Sequence, residues 1–244
     1  MTTGMITSAR RKRLWRAVDH GYVPVDVLNR KGRLLFQLGR FDRARQLYER
    51  AICQLRPLGD TPVLGEFIYQ LCCTLYSTGG YDDCEPLLDE AQRAFLAADD
   101  HGGQARVLGL RGNIAWDRGR LEEAMRLYRD KLDIARRIDD TEGIVGTLGN
   151  LGGVHFTRGD REQAMRYLQE QLDLAAAHDL QADLCIALGN FALMLTAARD
   201  FPAALEYCRR QQTLAARMGD KVGLGYAMDN MGHIRNGLGD AAGS

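Results

Sequence analysis

A single 40-residue period governs this chain. Leu148-Gly149-Asn150 is followed at that spacing by Leu188-Gly189-Asn190 and then by Met228-Asp229-Asn230. A glycine recurs in the same phase at Gly39, Gly79, Gly119, Gly159 and Gly239, with Arg199 standing in the series where one is missing. Self-similarity at a fixed period of this size marks stacked units, each burying its apolar face against its neighbours. The 244 residues hold five such units and part of a sixth.

Composition narrows the function classes. The chain carries 32 basic and 32 acidic residues, a formal net charge of zero. Dedicated nucleic-acid binders need a basic excess to displace counterions, so no nucleic-acid partner is expected. No apolar run approaches the roughly 18 residues that span a bilayer, and the N-terminus lacks the apolar stretch and cleavage site of a secretory signal. The expectation is a soluble, cytoplasmic protein with no membrane partner. Six cysteines, at 53, 72, 73, 84, 185 and 208, show no C-x-x-C spacing, and the five histidines show no ligand spacing. Neither a metal site nor a cofactor is therefore expected. Phosphate-loop, nucleophile-elbow and zincin motifs are all missing, so the chain reads as non-catalytic. Cys72 and Cys84 fall where other units carry Gly or Ala, and read as small packing residues close to one another. A disulfide between them under oxidation is the alternative.

Each unit reads as two helices. First helices are predicted over 24–38, 63–78, 103–118, 143–158, 183–198 and 223–238, and second helices over 41–58, 83–98, 121–138, 161–178 and 201–218. Asp60, Asp100, Asp140 and Asp220 mark the connections as candidate N-caps, with Asp179 one place out of step. Pro86 predicts a helix that starts late or is distorted. Residues 1–23 form an extension with a short capping helix. Its cluster Arg10-Arg11-Lys12-Arg13 with Arg16 is either a solvated face or a place for an acidic partner. The units run 24–60, 61–100, 101–140, 141–180 and 181–220, with an unpaired first helix and tail over 221–244.

The columns explain the packing. Gly32, Cys72, Gly112, Gly152, Ala192 and Gly232 share one register; Ala44, Cys84, Ala124, Ala164 and Ala204 share another. Small residues at both places let paired helices approach closely. Four places further on, Tyr48, Leu88, Tyr128, Leu168 and Cys208 supply the larger partner.

Leu148-x-x-Leu151-Gly152-x-x-His155, followed by Ala164-x-x-x-Leu168, resembles the tetratricopeptide repeat (TPR) pattern. The resemblance covers about residues 24–238. Its 40-residue period is similar to that of Leu-Gly-Asn repeat scaffolds, kinesin light chain and bacterial peptide-sensing regulators. It implies an all-α, right-handed superhelical solenoid of antiparallel helix pairs, about five and a half repeats long. Arg199 and His155 depart from the pattern. Lys131, Gln171 and Gln211 also stand where earlier units carry Ala51 and Ala91.

In TPR arrays the first helices line the concave groove, which makes their inward stripe the candidate site. Toward the N-terminus it carries Asn29, Arg30, Arg33, Gln70 and Arg106. Four of these (Asn29, Arg33, Gln70 and Arg106) are similar in placement to the carboxylate clamp of chaperone-binding TPR domains, although Leu110 sits where that clamp wants a cation. Phe36, Tyr76, Trp116 and Phe156 form an aromatic run, read as packing between repeats or as a groove floor. Asn150, Asn190 and Asn230, joined by Asn113 and His233, form a ladder whose amides can both donate to and accept from a peptide backbone. Gly109, Gly149 and Gly189 read as a column of bare backbone; in the fourth unit Gly146, Gly149 and Gly153 clear the inward stripe and would let a ligand approach Asn150. Subtype packing between helices is the competing explanation of the ladder.

Met228, Met231, Ile234 and Leu238 lie on the face of helix 223–238 that should receive a second helix. Further repeats, self-association or a docked partner would cover it. The favoured reading is a non-catalytic scaffold binding an extended peptide or short helix in the concave groove. The alternative is a regulatory or sensor TPR segment of a larger bacterial signalling or transcription-regulating protein, whose reading frame continues beyond Ser244 into an effector domain.

Overall fold

A computed structural model describes residues 25–242. Among them are eleven α-helices and a single 3-10 turn, Arg56–Leu58. The first helices of the pairs are α1 (Val25–Gln37), α3 (Pro62–Ser77), α5 (His101–Asp117), α7 (Thr141–Arg158), α9 (Gln181–Ala197) and α11 (Lys221–Ala242). The second helices are α2 (Phe41–Leu55), α4 (Tyr81–Ala97), α6 (Leu121–Arg137), α8 (Arg161–Ala177) and α10 (Phe201–Met218). The helix expected over residues 1–23 lies outside the described residues.

What ends the helices is strictly periodic. Every described residue with positive φ falls on a 20-residue grid: Gly39, Gly59, Gly79, Asp99, Gly119, Asp139, Gly159, Asp179, Arg199 and Gly219. A left-handed residue turns the chain out of one helix and into the next, and glycine adopts it without steric cost. Arg199 does so at φ 61°, and the three aspartates at φ 53–54°. Asp179 is therefore in phase as a turn residue and not a displaced cap. The cap position beside it holds Leu180, which makes no side-chain cap hydrogen bond. Asp100 and Asp140 do cap, accepting from Gly103 N at 2.8 Å and Gly143 N at 2.9 Å. Thr61 caps α3 by accepting from Leu64 N, with Pro62 in the first turn.

Helices α5, α7, α9 and α11 each begin two residues before the expected start, and three other boundaries differ by more than one residue. Helix α4 begins at Tyr81 and runs through Pro86, so the proline neither delays nor divides it. Pro86 lies in the second turn and removes one backbone donor, while buried Cys84 and Leu88 on either side anchor the helix. Helix α2 stops at Leu55, and Pro57 sits in the 3-10 turn that follows. Helix α11 continues through Gly239 to Ala242 instead of ending before that glycine.

The described chain forms two compact units, divided between Arg118 and Gly119. Within each, the small-residue columns do what their register implies. Ala44, Cys84, Ala124, Ala164 and Ala204 are completely buried. A β-carbon on Gly152 would lie 2.7 Å from Leu168 Cδ2, and one on Gly32 would overlap the Tyr48 ring. Cys72 and Cys84 are free and fully buried. The Cys84 thiol donates to the Cys72 carbonyl at 3.5 Å and to the Gly80 carbonyl at 3.3 Å. Part of the aromatic run is packing as well: the Phe36 ring meets Phe41 at 5.4 Å between centroids, and Tyr76 meets Tyr81 at 5.5 Å.

Candidate functional site

The N-terminal unit places Arg30 and Arg33 on the exposed side of α1. Gln70 and Arg106, on α3 and α5, converge on one carboxylate. Arg106 pairs with Glu66 at 2.9 Å, and Gln70 donates to the other oxygen of Glu66 at 3.0 Å. The Arg106 guanidinium also lies 5.6 Å from the centroids of Tyr69 and Phe95. A cation read as a clamp for an acidic ligand thus already has an internal partner, because Glu66 occupies the same stripe one repeat earlier. Beside it, burial pushes the Cys73 thiol up to about 11. Asn113 and Trp116 are half-buried on α5.

The C-terminal unit has a different surface. Helix α7 packs beside α9, and α9 beside α11. Residues at i, i+4 and i+7 share one face of a helix, and the 40-residue period aligns those faces across the three. The result is a three-by-three lattice: Gly146, Asn150 and Gly153 on α7; Ile186, Asn190 and Leu193 on α9; Tyr226, Asn230 and His233 on α11. Its middle row is the asparagine ladder, all three half-buried. Its outer rows leave Ile186 56%, Leu193 49% and Tyr226 64% exposed. His233 is exposed beside Asp229, Nε2 to Oδ2 at 3.6 Å. Phe156, 38% exposed, continues the face along α7. At the opposite rim, burial and then the neighbouring Glu142 carboxylate push Asp183 above its ordinary value. A cleft of about 500 Å³ is lined by residues of α9 and α10, among them Leu184, Glu206, Arg209 and Arg210, and holds none of the ladder residues.

Gly149 does not offer bare backbone to this surface. It is buried, and a β-carbon there would lie 2.5 Å from Gln171 Nε2; on Gly189 it would lie 2.6 Å from Gln211 Nε2. These glutamines come from the second helices α8 and α10, are 2% and 4% exposed, and fill the space that the glycines leave. Gln171 passes on to the ladder, accepting from Asn190 Nδ2 at 3.4 Å. Lys131 holds the same register on α6, where burial pulls its amine below the ordinary value. Sequence reading missed Ile186, Leu193 and Tyr226 because exposed apolar residues look like core in a helical pattern. Their shared 40-residue register with Gly146 and Gly153, already read as inward, was the available signal.

Tetratricopeptide repeat family models match residues 25–52, 69–136 and 145–178. The chain belongs to the tetratricopeptide repeat family. Solved structures agree on the all-α TPR fold. A Rap protein complexed with Competence and Sporulation Factor matches with a TM-score of 0.75 and 16% identity, over 88% of this chain and 64% of that one. The Rap conjugation gene regulator of plasmid pLS20, in complex with a Phr peptide, gives 0.70 and 18%, over 90% and 58%. Kinesin light chain TPR-like repeats from Podosopora anserina give 0.63 and 14%, over 80% and 96%. The chain thus spans less than two-thirds of the two Rap structures named. A search of curated proteins found no match. No helix among the described residues is long and apolar enough to cross a membrane.

Proposed function

We propose that this TPR array is a non-catalytic cytoplasmic scaffold whose C-terminal unit binds an extended peptide with apolar side chains on the face of α7, α9 and α11. The observation that carries the reading is the lattice itself: a row of carboxamides between two rows from which Ile186, Leu193 and Tyr226 project into solvent. Contiguous exposed apolar side chains with convergent polar groups are what a recognition surface needs. Neighbouring helices stand about 10 Å apart. An extended strand advances about 3.3 Å per residue, so Asn150, Asn190 and Asn230 would meet about every third peptide unit. The apolar rows would take the side chains between, and Glu142 with Asp183 would favour a basic group at that rim. A structure of similar fold is named as a complex with a peptide, which supports this class of ligand. Arg30, Arg33, Gln70, Arg106, Asn113 and Trp116, in the other unit, stand as candidates for a separate contact.

The test is selection of binders from a displayed library of random heptapeptides, followed by calorimetry. Apolar sequences are expected to be enriched. Asn150→Ala combined with Asn190→Ala is expected to weaken a selected heptapeptide about tenfold or more, each lost hydrogen bond contributing on the order of 1 kcal/mol. Unchanged affinity would remove the ladder from the proposal.

A second reading, a sensor segment of a larger signalling or transcription-regulating protein, draws on the partial coverage of a Rap structure named as a conjugation gene regulator. Reading the parent frame past Ser244 distinguishes them: an effector domain there supports the sensor, and a stop codon removes it.

A further inference from the structure

We infer that Gln171 and Gln211 are positioning residues that orient the ladder asparagines from behind, an inference that rests on the peptide-binding reading of the same face. Two copies of one device stand a single repeat apart. Each draws a glycine from a first helix, a glutamine from the second helix that follows, and an asparagine from the next first helix. The spacings are identical: Gly149, Gln171, Asn190, then Gly189, Gln211, Asn230. In both copies Nε2 is the glutamine atom nearest the glycine, at 2.5 and 2.6 Å from where a β-carbon would be. A β-carbon at either glycine would force the glutamine amide to shift from this position.

In the first copy Oε1 accepts from Asn190 Nδ2 at 3.4 Å. That distance is long for a hydrogen bond, so its contribution is direction more than strength. It engages one N–H of the carboxamide and leaves the carbonyl and the second N–H for a peptide unit. In the second copy Gln211 is 4% exposed and its Oε1 is buried with no partner. A buried carbonyl left unpaired is uncommon. Asn230, at the equivalent register, is the donor that would complete it when a ligand fixes its amide. The glycine column is thus a set of passages through which second-helix side chains reach the binding face.

The experiment uses the full chain and a heptapeptide selected on it. Gln171→Met and Gln211→Met keep the volume and remove the acceptor. Each is expected to weaken that heptapeptide about fivefold, the scale of one neutral hydrogen bond. The Gln171→Met effect should vanish in an Asn190→Ala background and persist in an Asn230→Ala background; Gln211→Met should show the converse. Equal weakening in both backgrounds, or none, overturns the inference while leaving the binding face intact. Indifference of the heptapeptide to Asn190→Ala and Asn230→Ala overturns both. A ligand-free check guards against misfolding: Gln171→Met should shift the Asn190 side-chain amide resonances and speed their exchange while the melting temperature changes little. An unmoved Asn190 signal counts against the inference.

Discussion

Glycines of similar register carry opposite consequences in this chain. Gly152 is pressed against Leu168, whereas Gly232, at the same repeat position, has nothing within 4 Å of where its β-carbon would be. Gly152→Ala is therefore expected to destabilise by about 1–3 kcal/mol through overpacking. Gly232→Ala should stabilise by about 0.8–1 kcal/mol through helix propensity. Urea denaturation of the two variants measures both, and a gain for Gly152→Ala would contradict the packing account. Arg199 is a third case. It holds the left-handed conformation that Gly39, Gly79, Gly119 and Gly159 hold at equivalent positions. Arg199→Gly should relieve roughly 1 kcal/mol, less a part returned as unfolded-chain entropy. A lower melting temperature would mean that the arginine makes a compensating contact.

At the level of elements, second helices begin differently along the chain. Arg40, Gly80 and Arg120 precede α2, α4 and α6 without a side-chain cap, whereas Asp160 and Asp200 cap α8 and α10. The Arg158 guanidinium, at 2.8 Å, holds Asp160 below the usual carboxylate range, helped by the Gln163 amide and His155. A depressed native value means stability that is present above the unfolded carboxylate value and lost as pH falls through the native one. Asp160→Asn should therefore flatten the acid limb of the stability curve, and thermal melts between about pH 2 and 5 would read it; an identical slope would exclude this carboxylate from acid unfolding. Helix order and most boundaries were legible in the sequence because turn residues and caps are written in phase. Asp179 misled because aspartate suits both a cap and a left-handed turn, and only the backbone angle separates them. The glycine column misled for a different reason. Gln171 and Gln211 belong to second helices, and periodicity alone does not reveal that a side chain passes a glycine to emerge near the opposite face.

For the molecule as a whole, stability is distributed by neighbour. Within each compact unit the helices pack mainly on those beside them in sequence, so damage should stay local. Leu168→Ala, which empties the space beside Gly152, is expected to cost about 2–5 kcal/mol. Hydrogen exchange should accelerate most in α7 and α8 and least in α1 and α3. Uniform acceleration would show that the array unfolds as one cooperative body.

The 20-residue grid of left-handed joints has a genetic consequence. Because Asp139 and Asp179 share almost the same backbone angle, removing the segment from Asp140 to Asp179 rejoins the chain across two equivalent bonds. Unequal crossing-over at such a place would lengthen or shorten the gene in folded increments, and the new seam would look like every other. Under the proposed function, the ladder would gain or lose a rung with each event, and the length of peptide that the face takes would evolve separately from the chemistry of any single contact.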